Sequence, residues 1–194
     1  MEKQNLNMNR VDCADDHDIR AVQQGDQQMF YSIVQRNQSQ IFRLAYRFCG
    51  QQEDAQDITQ EVFYKAYKII PHWKFKAKFF TWLYQTTLNM ARTLRRKRKK
   101  IFFVADMTSR IDFTAQQQTI TDIEKRERST QLQRAIDRLP GRQRIVVLLR
   151  IYEGLKINQT AEIMRCRPGT VKSLLNQALK RLSQDMPREV VDVR

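Results

Sequence analysis

Apolar residues along this chain recur at helical spacing, interrupted at a few short, well-separated stops. Met29, Phe30, Ile33, Val34, Ile41, Leu44, Ala45 and Phe48 run at that spacing up to Gly50, with a shorter group, Ile19, Ala21 and Val22, before Gly25. Together they predict two helices broken near Gly25. From Glu53 to Ile70, Ala55, Ile58, Val62, Ala66 and Ile69 form one stripe. Asp54, Asp57, Gln60, Glu61 and Lys65 fall largely off it, so the helix is amphipathic and its exposed face is acidic in the N-terminal half. A fourth helix, from about Phe79 to Arg98, carries Phe79, Trp82, Leu83, Met90 and Leu94.

The periodicity weakens from Ile101 to Arg128, where Gln, Thr, Asp and Ser dominate and Phe102, Phe103 and Phe113 are isolated anchors. Helical spacing returns near Ser129 with Leu132, Ala135, Ile136 and Leu139, stops at Pro140-Gly141, and resumes from Gln143 to Tyr152. Five glycines and four prolines are all the chain contains, and nearly all sit where a helical pattern starts or stops. The prediction is an all-α fold of two small helical domains joined by a flexible linker, the second ending in a helix-turn-helix. The expected divisions are a mobile tail over 1–15, a first domain over 16–100, a linker over 101–128, a second domain over 129–186 and a tail over 187–194.

The final motif is the most informative by pattern. Ile157, Ala161, Ile163 and Met164 make a short helix, Arg165-Cys166-Arg167 a tight connection, and Pro168-Gly169-Thr170 opens a last helix. Thr170 or a neighbour can cap that helix. Val171, Leu175, Ala178 and Leu182 then form a narrow stripe that would pack inward. Thr170, Ser173, Asn176, Gln177 and Lys180 lie opposite. Such side chains hydrogen-bond base edges and phosphates when a helix enters the major groove, although the same face on an isolated helix would be ordinary wet surface.

Charge sharpens this picture. The formal net charge is +14, which points to a polyanionic partner. Pro71 to Lys100 holds ten basic residues and no acidic one. Arg138 to Leu182 holds ten basic residues against Glu153 and Glu162, and the remainder is net acidic. Two separate basic segments are what two nucleic-acid contacts require. In the first segment, rings are joined to a dense cationic block, Arg95-Arg96-Lys97-Arg98-Lys99-Lys100. That mix suits single-stranded nucleic acid, whose bases stack on rings while cations track phosphates. The opposing reading puts Phe79, Trp82 and Leu83 in a core.

Other chemistries are disfavoured. Cys13, Cys49 and Cys166, with His17 and His72 far from them in sequence, make neither a zinc pattern nor a disulfide framework and are most simply small buried hydrophobes. No metal site, cofactor or small-molecule substrate is expected, and no phosphate-binding glycine loop or nucleophile–base spacing suggests an enzyme. The polar first eighteen residues lack a secretory signal, and no apolar run approaches a membrane span, so a cytoplasmic protein is expected.

Several motifs, taken in order, resemble the extracytoplasmic-function sigma factors, the smallest members of the bacterial sigma family, over about Asp16 to Ser183. Asp54-Ala55-Gln56-Asp57-Ile58-Thr59-Gln60-Glu61-Val62-Phe63 is similar to the family segment that grips the clamp helices of RNA polymerase. The resemblance implies that Asp57, Gln60 and Glu61 face the polymerase; taken alone, the acidic face could equally serve the helix macrodipole.

Thr81-Trp82-Leu83-Tyr84, Asn89 and the basic block resemble the promoter-melting helix, and Trp73 to Lys78 the loop that captures a flipped base of the minus ten element. By that resemblance Trp73, Lys74, Lys76, Lys78, Asn89, Arg92, Arg95, Arg96 and Lys97 contact minus ten DNA. Leu139-Pro140 and Gly169-Thr170-Val171-Lys172-Ser173 resemble the module that reads the minus thirty-five element, which implies Arg144, Arg167, Thr170, Lys172, Ser173, Asn176, Gln177 and Lys180 as contacts.

The family commonly carries arginines where Leu174, Gln177 and Leu179 stand, and an acid where Gln159 stands. Upstream recognition is therefore expected to be weak or altered, since each bidentate base contact is worth about 1–3 kcal/mol of discrimination. The implied partners are core RNA polymerase, promoter DNA and an anti-sigma factor, often membrane-associated. Two rivals stay open: a conventional DNA-binding regulator, and a basic RNA-binding protein using Arg92 to Lys100 without sequence preference.

Overall fold

Helix α2, Gln28–Cys49, buries Ile33, Ile41, Leu44, Ala45 and Phe48 and ends at Gly50. Gly50 takes φ 78° and donates its backbone N–H to the Tyr46 carbonyl, a left-handed stop that glycine adopts without a Cβ penalty. The structure is a computed structural model that describes the backbone of residues 14–105 and 131–185 and the side chains of 14–98 and 131–184. Residues 1–13 of the expected N-terminal tail, the expected linker and the expected C-terminal tail, with Cys13 and the Phe102, Phe103 and Phe113 anchors, have side chains outside the described residues, as do Lys99 and Lys100.

Helix α1 covers 14–23 and so includes two residues assigned by sequence to a mobile tail. The reason is electrostatic. Asp15 is fully buried, accepts from Arg36 Nη2 at 2.8 Å and Asn37 Nδ2 at 3.0 Å, and thereby pins the start of α1 to α2. Helix α3, Gln52–Ile69, opens with Glu53 and Asp54 in its first turn, where carboxylates favour the positive end of the helix dipole. It buries Ala55, Ile58, Val62, Phe63 and Ala66. A 3-10 turn, Ile70–His72, follows. Helix α4, Phe79–Ala105, continues past Arg98 into residues that sequence assigns to the linker. Arg98 helps hold it, donating to Asp54 Oδ1 at 2.7 Å and also to Gln51 Oε1.

The second unit consists of α5 (131–138), α6 (Gly141–Val147) continued by a π-helical turn over Leu148–Tyr152, α7 (Ile157–Met164) and α8 (Pro168–Asp185). Two small apolar clusters hold it together: Ala135, Ile136, Leu139, Val147, Ala178 and Leu182, and Val146, Ala161 and Val171. The described residues are thus helical without strands.

The two units do not stand apart. Ile145, Leu148, Leu149, Leu155 and Ile163 of the second belong to the same buried cluster as Ile41, Leu44, Phe80, Leu83, Tyr84 and Leu88 of the first. Polar contacts follow the seam. Arg95 donates to Asp137 Oδ1 at 3.1 Å, Gln133 Nε2 to the Arg47 carbonyl at 3.3 Å, and the Arg47 guanidinium lies 4.4 Å from the Tyr152 ring centre.

Candidate functional site

Between helices α3 and α4 lies a groove of about 700 Å³. One wall carries Asp54, Asp57, Gln60 and Glu61, and the other Asn89, Met90, Thr93 and Lys97. The acidic set and part of the basic-helix set, read from sequence as two separate contacts, therefore share one groove. Asp57 and Gln60 are exposed and Glu61 half-buried, with Lys65 Nζ 3.4 Å from Glu61 Oε1. Asp54 is different in kind: it is buried, and its Oδ1 is committed to Arg98.

The segment from Trp73 to Ala77 lines a second cavity of about 430 Å³, with Trp73, Phe75 and Trp82 as rings and Lys74, Lys76 and Arg165 as cations. Trp73 meets Phe79 edge-on at 5.4 Å, and Phe79 stacks on Trp82 at 5.8 Å, an arrangement favoured by the ring quadrupoles. Phe79 and Leu83 are buried, as the core reading expects, while Trp82 is half-buried and lines the cavity. Trp73 Nε1 is buried without a hydrogen-bond partner, leaving an unmet donor beside the cavity. Lys74, Lys76 and Lys78 are exposed.

Two residues that sequence reading missed hold this segment. Gln23 Nε2 donates to the carbonyls of Ile70 and Trp73, each at 2.9 Å. Arg20 stacks 4.8 Å over Phe75, which sits at the left-handed φ of 54°. Nothing local marks Gln23, since an exposed glutamine forty-seven positions from Ile70 carries no pattern.

The basic residues of α4 have different fates. Arg96 and Lys97 are exposed. Arg95 is drawn to Asp137. Arg92 is half-buried and lines a recess of about 100 Å³ between the units, with Asn89, Gln85 and Leu88 on its side and Ile145, Ile163, Met164 and Arg165 opposite. Burial, then the nearby Arg142 and Arg96 charges, lower the Arg92 pKa from its ordinary value.

In the helix-turn-helix, Gln159 Oε1 accepts from the Lys156 backbone N–H at 2.8 Å, which is half of a capping box and explains how an amide serves there. Pro168 begins α8, so Thr170 lies inside the helix and not at its cap. Val171 and Ala178 are fully buried and Leu182 nearly so, which turns Arg167, Thr170, Lys172, Ser173, Asn176, Gln177 and Lys180 to the outside, all exposed. Gln177 is pre-oriented, accepting from Gln143 Nε2 at 3.0 Å and donating to Ser173 Oγ at 3.1 Å. Leu174 packs on the core beside Val171, whereas Leu179 presents an exposed apolar side chain.

Arg144 departs from the sequence expectation of a DNA contact. The residue is 2% exposed, and its side chain donates to the carbonyls of Ile136 and Asp137. It closes the C-terminal end of α5, where helical carbonyls lack partners, and is not offered to a ligand in this conformation. Cys49 and Cys166 are half-buried and unpaired, and the described residues contain no cluster of side chains suited to a metal ion. No helix among them is long and apolar enough to cross a membrane.

Comparison with known proteins agrees with this anatomy. The family model for sigma-70 region 2 matches residues 33–101 and that for sigma-70 region 4 matches residues 129–182. The chain is 30% identical to the ECF RNA polymerase sigma factor SigW of Bacillus subtilis over 87% of this chain and 94% of that protein. It is 31% identical to the RNA polymerase sigma-H factor of Pseudomonas aeruginosa over 88% and 94%. Among solved structures, the fold resembles CnrH in complex with the cytosolic domain of CnrY, with a TM-score of 0.67, 20% identity and coverage of 88% of this chain and 96% of that one. It also resembles the sigma factor RpoE of Bartonella quintana, solved with the anti-sigma factor NepR, with a TM-score of 0.62, 20% identity and coverage of 80% and 95%. With sigma regions 2 and 4 in order on the two helical units, and these relatives matched along nearly their whole length, the chain belongs to the extracytoplasmic-function RNA polymerase sigma factors.

Proposed function

We propose that this chain binds core RNA polymerase through Asp57, Gln60 and Glu61, recognises a two-part promoter and assists melting of its minus ten element. The observation that carries this reading is the shared groove between α3 and α4. It sets an acidic docking wall directly beside Asn89 and Lys97, so that polymerase bound at one wall would hold melted DNA at the other.

The aromatic-basic cavity at Trp73 to Lys76 is suited to an extruded base. Extrusion costs a few kcal/mol, and stacking plus phosphate contacts offset it. The outer face of α8, with Lys172, Asn176, Gln177 and Lys180 exposed, is the upstream reader, supported by Arg167, Thr170 and Ser173. Leu179 supplies no bidentate contact there, so upstream discrimination is weaker than an arginine would give. Lys74, Lys78, Arg92, Arg95 and Arg96 serve the downstream strand, Arg92 and Arg95 once the units part.

The protein makes and breaks no bonds itself, acts in the cytoplasm and is restrained by an anti-sigma factor. The bound partners of CnrH and of Bartonella RpoE are consistent with such a partner. Reconstitution with purified core enzyme tests the reading. Wild type should direct transcription from a defined start site, and Asp57→Lys with Glu61→Lys should lose core binding. A wild type that neither binds core nor yields a defined start site would return the protein to the nonspecific binders.

A further inference from the structure

Both ends of the Gln85 side-chain amide are taken by the second unit. Its Nε2 donates to the Glu162 carbonyl at 3.0 Å, and its Oε1 accepts from Arg165 Nε and Nη2 at 3.3 and 3.0 Å. Arg165 stands at the C-terminal stop of α7 with φ 49°, a left-handed position where glycine is the ordinary occupant. An exposed arginine held there can reach across the seam to α4. It lines the aromatic-basic cavity together with Trp73, Lys74, Trp82 and Gln85. It also lines the inter-unit recess whose other wall is Gln85, Leu88, Asn89 and Arg92.

Gln85 and Asn89 are four residues apart and so lie one above the other on α4. A strand leaving the cavity along that face would pass both. The end of α7 already occupies the space. We propose that the α7–α8 connection is an intramolecular gate over the single-strand-binding face of α4, latched by Arg165 on Gln85, and that opening releases Gln85 to contact the bound strand. This rests on the reading of α4 as a DNA-binding helix.

The seam is suited to release by a polyanion. Arg92 and Arg165 both line the recess, a like-charge pairing that favours separation. What opposes it is apolar contact through Leu88, Ile163 and Met164 together with the latch. DNA along α4 would replace the latch with phosphate contacts and neutralise the cations, while a closed chain would be barred from it.

The test uses the full chain and a fluorescein-labelled single-stranded DNA dodecamer of random sequence. Arg165→Ala removes a cation, so electrostatics alone would weaken binding. A gate instead gives tighter binding, roughly three- to tenfold for the loss of such a latch. Arg167→Ala, the neighbouring exposed cation without a Gln85 contact, should bind no tighter than wild type.

The second arm places cysteines at Gln85 and Arg165 in a background with Cys13, Cys49 and Cys166 replaced by serine. Bridging them with a short bismaleimide should abolish binding relative to the unbridged double variant. Arg165→Ala that binds equally or more weakly, or a bridged chain that still binds, overturns the gate. If the unbridged chains bind the dodecamer, only the gate falls. If no form binds it and none directs transcription with core polymerase, the gate falls together with the functional reading beneath it.

Discussion

The Tyr84 hydroxyl donates to Glu153 Oε2 at 3.2 Å across sixty-nine positions of sequence, and joins the second turn of α4 to the residue that follows the π turn. Both groups are out of water: Tyr84 is 2% exposed, and the Glu153 side chain 7%. Burial raises the Glu153 pKa, against the Arg47 charge, the Tyr84 hydrogen bond and the Arg43 charge. Glu153 Oε1 has no hydrogen-bond partner, and Arg47 Nη1 stands 3.7 Å away. The seam between the units therefore contains a carboxylate whose charge is only partly compensated.

From this follows an asymmetry between two substitutions. Tyr84→Phe keeps the ring but strips a buried carboxylate of its donor, and should lower unfolding free energy by about 1–3 kcal/mol. Glu153→Gln can still accept from Tyr84 and removes the buried charge, so it should be neutral or stabilising by up to about 1 kcal/mol. Urea denaturation of the full chain compares them, and a Glu153→Gln loss as large as that of Tyr84→Phe would show that the Arg47 pairing dominates.

The same carboxylate sets a pH dependence. Its folded pKa lies above the ordinary glutamate value, so between the two values the folded form binds more protons than the unfolded form, and stability rises as pH falls. Asp137, raised by burial, acts in the same direction. Asp18 has a lowered pKa, through Arg36 and His17 acting against burial, and its opposing contribution is lost only at lower pH. Denaturation midpoints should therefore increase as pH falls from neutral toward the ordinary glutamate range. In Glu153→Gln that increase should shrink, and an unchanged slope would assign it elsewhere.

Two basic residues of the second unit should separate cleanly. Arg144→Ala deletes a buried guanidinium that satisfies carbonyls at the end of α5 and lies 5.8 Å from the Phe48 ring. It should cost roughly 2–4 kcal/mol of stability. Lys172→Ala, at an exposed position on α8, should leave stability within about 0.5 kcal/mol. It should weaken DNA binding across sequences and reduce the salt slope by about 1. Thermal melts and salt-titrated anisotropy on both variants check the contrast.

Cys49 should be a poor nucleophile. Burial foremost, with the Asp54 charge, pushes its thiol up to about 11 against the opposing Arg98 and Arg95. Alkylation by iodoacetamide at about pH 8 should be on the order of a hundredfold slower in the native chain than in denaturant. Mass spectrometry of peptides containing Cys49 reads the rate, and equal rates would contradict the burial.

Much of each helix is legible in the sequence. The stripes through Ala55, Ile58, Val62 and Ala66, and through Val171, Leu175, Ala178 and Leu182, are short-range signals. A 3.6-residue period writes the buried face into neighbouring positions. The breaks at Gly50 and Pro140-Gly141 were legible for a related reason, since backbone freedom and a missing N–H act at one residue. Charge segregation and the ordered motifs likewise located two basic segments and the family.

Tertiary structure alone decided the rest. Arg144 and Lys172 look alike in sequence, yet one closes a helix end in the interior and the other faces solvent, because only assembled helices create a set of buried carbonyls to be met. Arg95 and Asp137, Tyr84 and Glu153, and Gln85 and Arg165 are far apart in the chain and carry no shared periodicity. Their pairing depends on how the apolar patch around Ile145, Leu148, Leu149 and Ile163 seats against α4. Periodicity says which face of a helix is buried; it does not say against which distant helix, since that is set by shape and by the desolvation cost of every polar group brought along.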